Sequence, residues 1–187
     1  MTNERDMNKH VAIVVDWYGP YSIENARKVA KEHFSAGLYC GIGKIKYQKS
    51  PSDLQYIGIT KDLYSRIIDK KHPKLSLITQ ECDVWLGEVA SFGIPGTKDK
   101  VTDTQLDLAE WLHSYFLQLP LNDKKTGSPP DTPATVFNRW WQKDFDTPRQ
   151  KRPHKNWPDL IDFTGIEYGA KVVWNGTKIV KWHPSDF

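Results

Sequence analysis

Two tyrosines and an arginine lie close together in the sequence and could handle a phosphate group. Tyr39 and Tyr56 each lie in an apolar, strand-like run that also holds a glycine, and Arg66 follows Tyr56 by ten residues in a helix-like segment. A phenol can hydrogen-bond a water molecule and, with a lowered pKa, accept a proton. Arginine is a permanent forked cation suited to phosphate oxygens. If both tyrosines face one side of a hairpin that the helix crosses, these side chains predict a phosphate site.

A carboxylate later in the chain is a candidate metal ligand. Glu110 recurs with Leu106 and Leu117 at helical spacing, which places it beside an apolar stripe. A carboxylate there needs a cation, a metal ion or a hydrogen-bond donor as its partner. Because Mg²⁺ uses one or two protein carboxylates and keeps several waters, Glu110 alone would suffice. The alternative for Glu110 is a helix salt bridge, and the neighbouring His113 is expected to pack in the core.

Glu88 is a second carboxylate of interest. It alternates with Leu86 and Ala90 in a strand-like run, so we expect it on the same face as these apolar residues. If Glu110 does not bind the metal ion, Glu88 is the next candidate.

The elements that must position these side chains follow from apolar periodicity. An apolar run at 10–15 predicts a strand, and Ser22 is the expected N-cap of a helix over 23–34. Further strands are predicted over 37–46, 54–59 and 83–92, and further helices over 61–71 and 103–119. In the tail, Asn175-Gly176 is a strong two-residue turn signal and predicts a hairpin.

Composition bounds the class of protein. The chain has 187 residues, of which 39% are hydrophobic and 26% charged, as expected for a globular protein with a core. The sequence contains no apolar run of membrane-spanning length and its start does not read as a signal peptide, so we expect a cytoplasmic protein with no membrane partner. Cys40 and Cys82 are expected to be reduced core residues. A net charge of +3 is compatible with a polyanionic partner.

The motifs and their order resemble the signature of the GIY-YIG nuclease family. The resemblance lies in "GLY" at 37–39, "YIG" at 56–58, Arg66 and the later helix "AEWLHSYFLQLPLN", and it covers roughly residues 36–124. Each tripeptide alone is weak, but the four elements occur in the order and spacing that the family commonly shows.

The resemblance implies a metal-dependent DNA endonuclease with defined roles for five residues. Tyr39 would activate or orient the attacking water, and Tyr56 would support that network. Arg66 would hold the scissile phosphate. Glu110 would bind one Mg²⁺ (or Mn²⁺) in each active site. Asn122 would brace the site or touch the phosphate, although an asparagine after a helix is also an ordinary cap.

One departure from the family affects proton transfer. Many members carry a histidine one helical turn after the arginine, and here that position is Lys70. Lys70 could contact phosphate or take over the proton-transfer role, and His72 could instead reach the site if the helix ends early. Both are therefore candidate catalytic residues.

The tail contains a basic segment that we call the tail strip. Its four candidate phosphate contacts are Arg149, Lys151, Arg152 and Lys155. Neighbouring tryptophans could stack on bases, so the segment resembles a nucleic-acid contact surface. The alternative is a solvated basic loop beside core tryptophans. For the tryptophans we favour packing in the core.

These observations predict an α+β fold in three parts. Residues 1–36 would form an N-terminal strand-helix extension, 37–124 a GIY-YIG-like domain with a three-stranded antiparallel sheet flanked by helices, and 125–187 a C-terminal extension with the basic loop and a Trp-rich hairpin. The predicted function is a DNA endonuclease of the restriction, repair or mobile-element type, possible as a homodimer. The alternative is a non-catalytic nucleic-acid-binding protein that keeps the nuclease fold.

Overall fold

The computed structural model describes residues 10–68, 71–90, 102–176 and 178–187. Lys70, one of the candidate catalytic residues, lies outside these ranges. Among the described residues, no helix has both the length and the apolar character needed to cross a membrane.

The described ranges form one mixed sheet of eight strands with three α-helices. The strands are β1 (Val11–Tyr21), β2 (Gly37–Ile45), β3 (Asp53–Thr60), β4 (Ile78–Ala90), β5 (Ala134–Trp141), β6 (Leu160–Phe163), β7 (Ala170–Trp174) and β8 (Lys178–Trp182). The helices are α1 (Ile23–His33), α2 (Leu63–Arg66) and α3 (Asp103–Leu117). The order across the sheet is β3-β2-β4-β1-β5-β6-β7-β8, and every neighbouring pair is antiparallel except β1 and β5.

The predicted small sheet of three strands flanked by helices is therefore wrong. Strands β3, β2 and β4 do pair antiparallel as expected, but they form only one side of the larger sheet. The reason lies in β1, whose residues 15–19 are buried on both faces. A strand of this kind belongs in the middle of a sheet, and β1 pairs with β4 on one edge and with β5 on the other. Both predicted extensions thus contribute strands to the same sheet.

The two faces of the sheet carry different helices. Helix α3 packs on the face that holds Trp17, Leu38 and Trp85, which we call the α3 face. Helices α1 and α2 pack on the opposite face, beside Tyr39 and Leu86, which we call the α1 face. Because successive side chains of a strand point to opposite faces, each of the strands β1 to β4 contributes to both layers.

A tryptophan cluster joins the tail to the α3 face. Trp157 is fully buried, and its ring centroid lies 4.7 Å from that of Trp17, 6.0 Å from that of Trp85 and 5.9 Å from that of Trp140. The expectation that tail tryptophans pack in the core therefore describes Trp157 and Trp140 correctly. This contact fixes the loop before β6 against strands β1 and β4.

Helix boundaries follow local capping, with one clear difference from the sequence expectation. Ser22 caps α1 by accepting a hydrogen bond from Asn25 N, and Thr102 and Gln105 form a capping box at the start of α3. The helix expected over 61–71 is instead a single turn, α2, whose N-cap is Asp62. After α2 the chain turns, and this turn brings His72 to the Tyr39 hydroxyl on β2.

His113 is held neutral inside the α3 face. Its Nδ1 lies 2.7 Å from Ala109 O and donates to it, and its Nε2 accepts a hydrogen bond of 3.0 Å from Asn138 Nδ2. The Asn138 Oδ1 atom accepts from Trp17 Nε1, so the amide cannot turn over to receive a second imidazole proton without losing that contact. Burial lowers the pKa of His113 to about 4. Packing, as expected, is its role.

We expect this histidine to make folding sensitive to acid. Because its pKa is lower in the folded chain than in the unfolded chain, its contribution is complete above about pH 6.5 and is lost as pH falls toward 4, by on the order of 3 kcal/mol. Urea unfolding between pH 4 and 7.5 should therefore be less pH-dependent for His113→Gln than for the unmodified chain. The same substitution at the exposed His33 is the control, and an unchanged pH dependence for His113→Gln would contradict the prediction.

Candidate active site

The two signature tyrosines meet above a glycine on the α1 face. Tyr39 on β2 lies directly opposite Gly58 on β3, and the ring centroids of Tyr39 and Tyr56 are 5.7 Å apart. A Cβ atom at position 58 would lie 2.6 Å from the Tyr56 hydroxyl and 2.8 Å from the Tyr39 hydroxyl. Gly58 therefore leaves the space in which the two hydroxyls approach each other, at 3.5 Å.

Arg66 joins this pair from α2. The Asp62 carboxylate caps the turn by accepting a hydrogen bond from Ser65 N, which fixes the start of α2. From there Arg66 Nε donates to the Tyr39 hydroxyl at 3.1 Å. The hydrogen bond with Tyr39 is the main reason that the pKa of Arg66 is raised. Arg66 is exposed, so the cluster has one permanent positive charge at its surface.

His72 completes the cluster from below. Its Nε2 lies 2.9 Å from the Tyr39 hydroxyl, and its Nδ1 accepts hydrogen bonds from Lys74 N at 3.1 Å and Leu75 N at 2.9 Å. Since two backbone N–H groups point at Nδ1, the proton of the neutral ring sits on Nε2 and is donated to Tyr39. Burial lowers the pKa of His72 to about 4, so the ring stays neutral at physiological pH.

These contacts define what Tyr39 can do. Its oxygen accepts hydrogen bonds from Arg66 and His72, which occupy both lone pairs. Its own proton remains to be donated, to Tyr56 or to a ligand oxygen. Burial raises the pKa of Tyr39 well above the usual range, against an opposing effect of Arg66. Tyr39 is thus a neutral, oriented hydrogen-bond donor beside a fixed cation, which is an arrangement suited to an anionic oxygen.

Asn122 braces the outer strand next to this cluster. Its Oδ1 accepts from Ile57 N at 3.0 Å, and its Nδ2 donates to Ile57 O at 2.9 Å and to Ser114 Oγ at 2.9 Å. The amide therefore imitates a neighbouring strand along β3. Of the two roles expected for Asn122, this geometry favours bracing over contact with phosphate.

Glu110 does not fit the expected metal centre. It lies on α3, on the opposite side of the sheet from Tyr39, and its carboxylate accepts a hydrogen bond of 2.6 Å from Lys125 Nζ. Lys125 also binds Asp107 at 2.5 Å. The contacts of Glu110 are those of the helix salt bridge that the sequence left open. Within the described ranges, no group of three or more His, Cys, Asp or Glu side chains is arranged to hold a metal ion.

Glu88 lies on the same face as Tyr39. In the β2–β4 pair Tyr39 is opposite Leu86, so Glu88 is its diagonal neighbour along β4. Its Oε1 accepts a hydrogen bond of 3.4 Å from the Tyr18 hydroxyl, and Asp16 lies directly across the β1–β4 pair. The strand alternation in the sequence therefore placed Glu88 on the correct face.

Asp16 belongs to a polar group that the sequence analysis missed. Both of its carboxylate oxygens accept from Arg139, at 2.7 Å each, and one also accepts from Trp141 Nε1 at 2.8 Å. The available signal was a lone charged residue within the apolar run of β1, since such a residue needs a charged partner. That partner comes from the parallel neighbour β5, which could not be anticipated from the local sequence.

The tail strip lies away from the tyrosine cluster. Arg152 binds Asp159 at 2.8 Å, and the guanidinium carbon of Arg149 lies 5.2 Å from the centre of the Trp85 ring, which belongs to the α3 face. Lys151 and Lys155 are exposed. Arg152 thus has a structural partner, and a role of the strip in nucleic-acid binding stays a prediction.

The comparisons with known proteins leave the family open. No family model matches the sequence, and neither the search of curated proteins nor the search of solved structures found a match. The resemblance to the GIY-YIG family therefore rests on the motifs of this chain alone.

The dual contacts of His72 can be separated by two substitutions. In His72→Asn, the amide oxygen can replace Nδ1 as acceptor for the two backbone N–H groups, but the donor to Tyr39 is lost. In His72→Gln, the amide nitrogen can replace Nε2, but the backbone acceptor is lost. We expect His72→Asn to keep its melting temperature and to lose the DNA cleavage that the GIY-YIG resemblance implies, and His72→Gln to show the reverse pattern. Equal cleavage by both variants would show that the Tyr39 contact is not needed.

Glu110→Gln tests the placement of the helix carboxylate. Because Glu110 lies across the sheet from Tyr39, we expect DNA cleavage close to the wild-type rate. Loss of a charged hydrogen bond with Lys125 should lower the free energy of unfolding by about 1–2 kcal/mol. Glu88→Gln, which changes a carboxylate on the α1 face beside Tyr39, is the paired comparison. Abolished cleavage with an unchanged melting temperature in Glu110→Gln would contradict this placement.

Proposed function

We propose that the protein is an endonuclease that hydrolyses DNA phosphodiester bonds at the cluster of Tyr39, Tyr56, Arg66 and His72. The observation that carries the proposal is the convergence of Arg66 and His72 on the hydroxyl of Tyr39, at 3.1 Å and 2.9 Å. Two side chains from separate segments thus donate to one hydroxyl, and the exposed Arg66 offers a positive charge to a phosphate. Packing alone does not require two hydrogen-bond donors on one buried hydroxyl.

Each residue has a distinct part in this scheme. Arg66 binds the phosphate and stabilises the negative charge that builds on its oxygens as water attacks phosphorus, the bond to the leaving oxygen breaks and that oxygen takes up a proton released by the water. Tyr39 and Tyr56 orient the water or a phosphate oxygen through their hydroxyls. His72 fixes Tyr39 by donating to it and remains neutral. Asn122 holds β3, and with it Tyr56 and Gly58, in place.

The dependence on Mg²⁺ or Mn²⁺ stays a prediction. Glu110 binds Lys125 on the opposite face, so an ion at that residue would lie away from the tyrosine cluster. Incubating labelled duplex and branched DNA with either ion, or with EDTA, measures the requirement directly. Size-exclusion chromatography during the same work tests the predicted homodimer, since cutting both strands with one site per chain favours two chains.

The alternative function is a nucleic-acid-binding protein without catalysis. The observation that favours it is the burial of the cluster, because Tyr39 is 0% exposed, His72 2% and Tyr56 8%. Only Arg66 reaches freely into solvent, as a binding residue would. The two functions differ in one measurement, which is whether DNA is cut.

Conservative substitutions in the cluster test the catalytic proposal. Tyr39→Phe keeps the ring and removes the hydroxyl, so DNA affinity measured in Ca²⁺ should stay close to wild type. The single-turnover cleavage rate should fall on the order of 10² to 10³, the contribution of one positioned hydrogen-bond donor. Arg66→Lys should rescue Arg66→Ala poorly, because an ammonium lacks the planar fork.

Tyr47→Phe is the matched control for Tyr39→Phe. Tyr47 lies two residues after the end of β2 and is 86% exposed, so loss of its hydroxyl should leave the rate unchanged. Full single-turnover activity in Tyr39→Phe would refute the catalytic role. In that case the binding function would be the better description.

A further inference from the structure

Helices α1 and α2 together present a surface of positive charge beside the tyrosine cluster. The surface consists of Arg27 and Lys31 on α1 and of Tyr64 and Arg66 on α2. We infer that it binds the phosphate backbone of the DNA strand and leads that strand to Arg66. The inference rests on the proposed function and adds to it the path of the substrate.

One aromatic ring gathers the two cations of α1. The guanidinium carbon of Arg27 lies 4.4 Å from the centre of the Tyr64 ring, and Lys31 Nζ lies 5.6 Å from it. Arg27 and Lys31 are one helical turn apart and therefore share a side of α1. Tyr64 precedes Arg66 by two residues on the single turn of α2. The ring thus holds two positive charges next to the third.

These contacts leave the charges available to an anion. A cation over an aromatic ring is attracted to its face but is not neutralised, in contrast to a cation bound to a carboxylate. Lys28 on the same helix illustrates the contrast, since it pairs with Glu24 at 2.7 Å. Lys31 and Arg66 are exposed and Arg27 is half-buried. Like charges held together repel one another, and a polyanion relieves that repulsion.

A nucleic-acid backbone fits this arrangement better than a single small anion. The cations of α1 and the cation of α2 lie on separate elements and would engage successive phosphates. Arg66 also touches Tyr39, so the phosphate bound at this end reaches the cluster where cleavage is proposed. The net charge of only +3 means that binding must depend on local charge clusters of this kind.

The salt dependence of DNA binding tests the inference. We would measure the affinity of a labelled DNA duplex in Ca²⁺ at several salt concentrations. For Arg27→Gln/Lys31→Gln, the slope of log affinity against log salt should become shallower by about two units, at slightly under one for each contact on duplex DNA. Lys31→Gln alone should give about half that change, and it guards against a folding defect from the half-buried Arg27. Melting temperatures are recorded for each variant.

Two further double variants carry the same loss of charge elsewhere. Lys171→Gln/Lys181→Gln removes exposed cations on β7 and β8, at the far side of the sheet, and should leave the slope unchanged. Lys151→Gln/Lys155→Gln tests the tail strip. If the tail variant changes the slope and the α1 variant does not, the strand runs along the tail and the inference is overturned.

Failure of the inference can be told apart from failure of the proposed function. Cleavage with an unchanged slope in Arg27→Gln/Lys31→Gln would overturn the substrate path alone. No cleavage, with the slope reduced as expected, would support the path and refute the nuclease. Absence of both cleavage and binding would overturn both.

Discussion

The pairing of β1 on both edges is the constraint on which the rest of the structure depends. The strand pairs antiparallel with β4 and parallel with β5, and so joins the hairpin that carries the tyrosines to the tryptophan-rich tail. A central strand must be covered on both faces, because its side chains alternate between them. Helix α3 covers one face and helices α1 and α2 the other. This division into two layers decides which polar residues can meet.

The division also explains the chemistry available at the tyrosine cluster. Among the described residues, the side chains that hydrogen-bond the Tyr39 hydroxyl lie on the α1 face, whereas the carboxylate of Glu110 binds Lys125 on the other side of the sheet. The cluster therefore has a permanent cation, two phenols and a neutral imidazole. Such a group is suited to an anionic ligand, because its charge and its hydroxyls are held in place before a ligand arrives.

Local signals predict several element boundaries correctly, but they miss the early end of α2, the strands β5 and β6, and the arrangement of the strands in the sheet. The Ser22 cap, the start of α3 near Asp103 and the Asn175-Gly176 turn depend on a few neighbouring residues, and each is found where expected. The parallel pairing of β1 with β5 joins residues more than a hundred positions apart, which no local pattern encodes. The face on which Glu110 would lie was open for the same reason. Helical spacing shows which side of α3 is apolar, but not which side of the sheet receives it.

The candidate site shows the same limit at the level of single residues. Tyr39, Tyr56 and Arg66 were predicted together because hairpin parity and a following helix constrain them locally. For His72 the sequence left two possibilities, since its approach to Tyr39 depends on where α2 ends and on the backbone N–H groups of Lys74 and Leu75.

The bracing of β3 by Asn122 has a consequence for edge-to-edge pairing of the sheet with another chain. β3 is an edge strand of the sheet, and an edge strand offers unpaired N–H and C=O groups to any other extended chain. Asn122 occupies both groups of Ile57, and Leu121 N binds Gln55 O on the same edge. These backbone groups near the middle of β3 are therefore not available to pair with a strand of another chain. At the other edge β8 carries Lys178 and Lys181, whose charges oppose pairing of this edge with the edge of another sheet. The Leu121-Asn122 segment that braces β3 therefore also limits edge-to-edge pairing at the β3 side of the sheet.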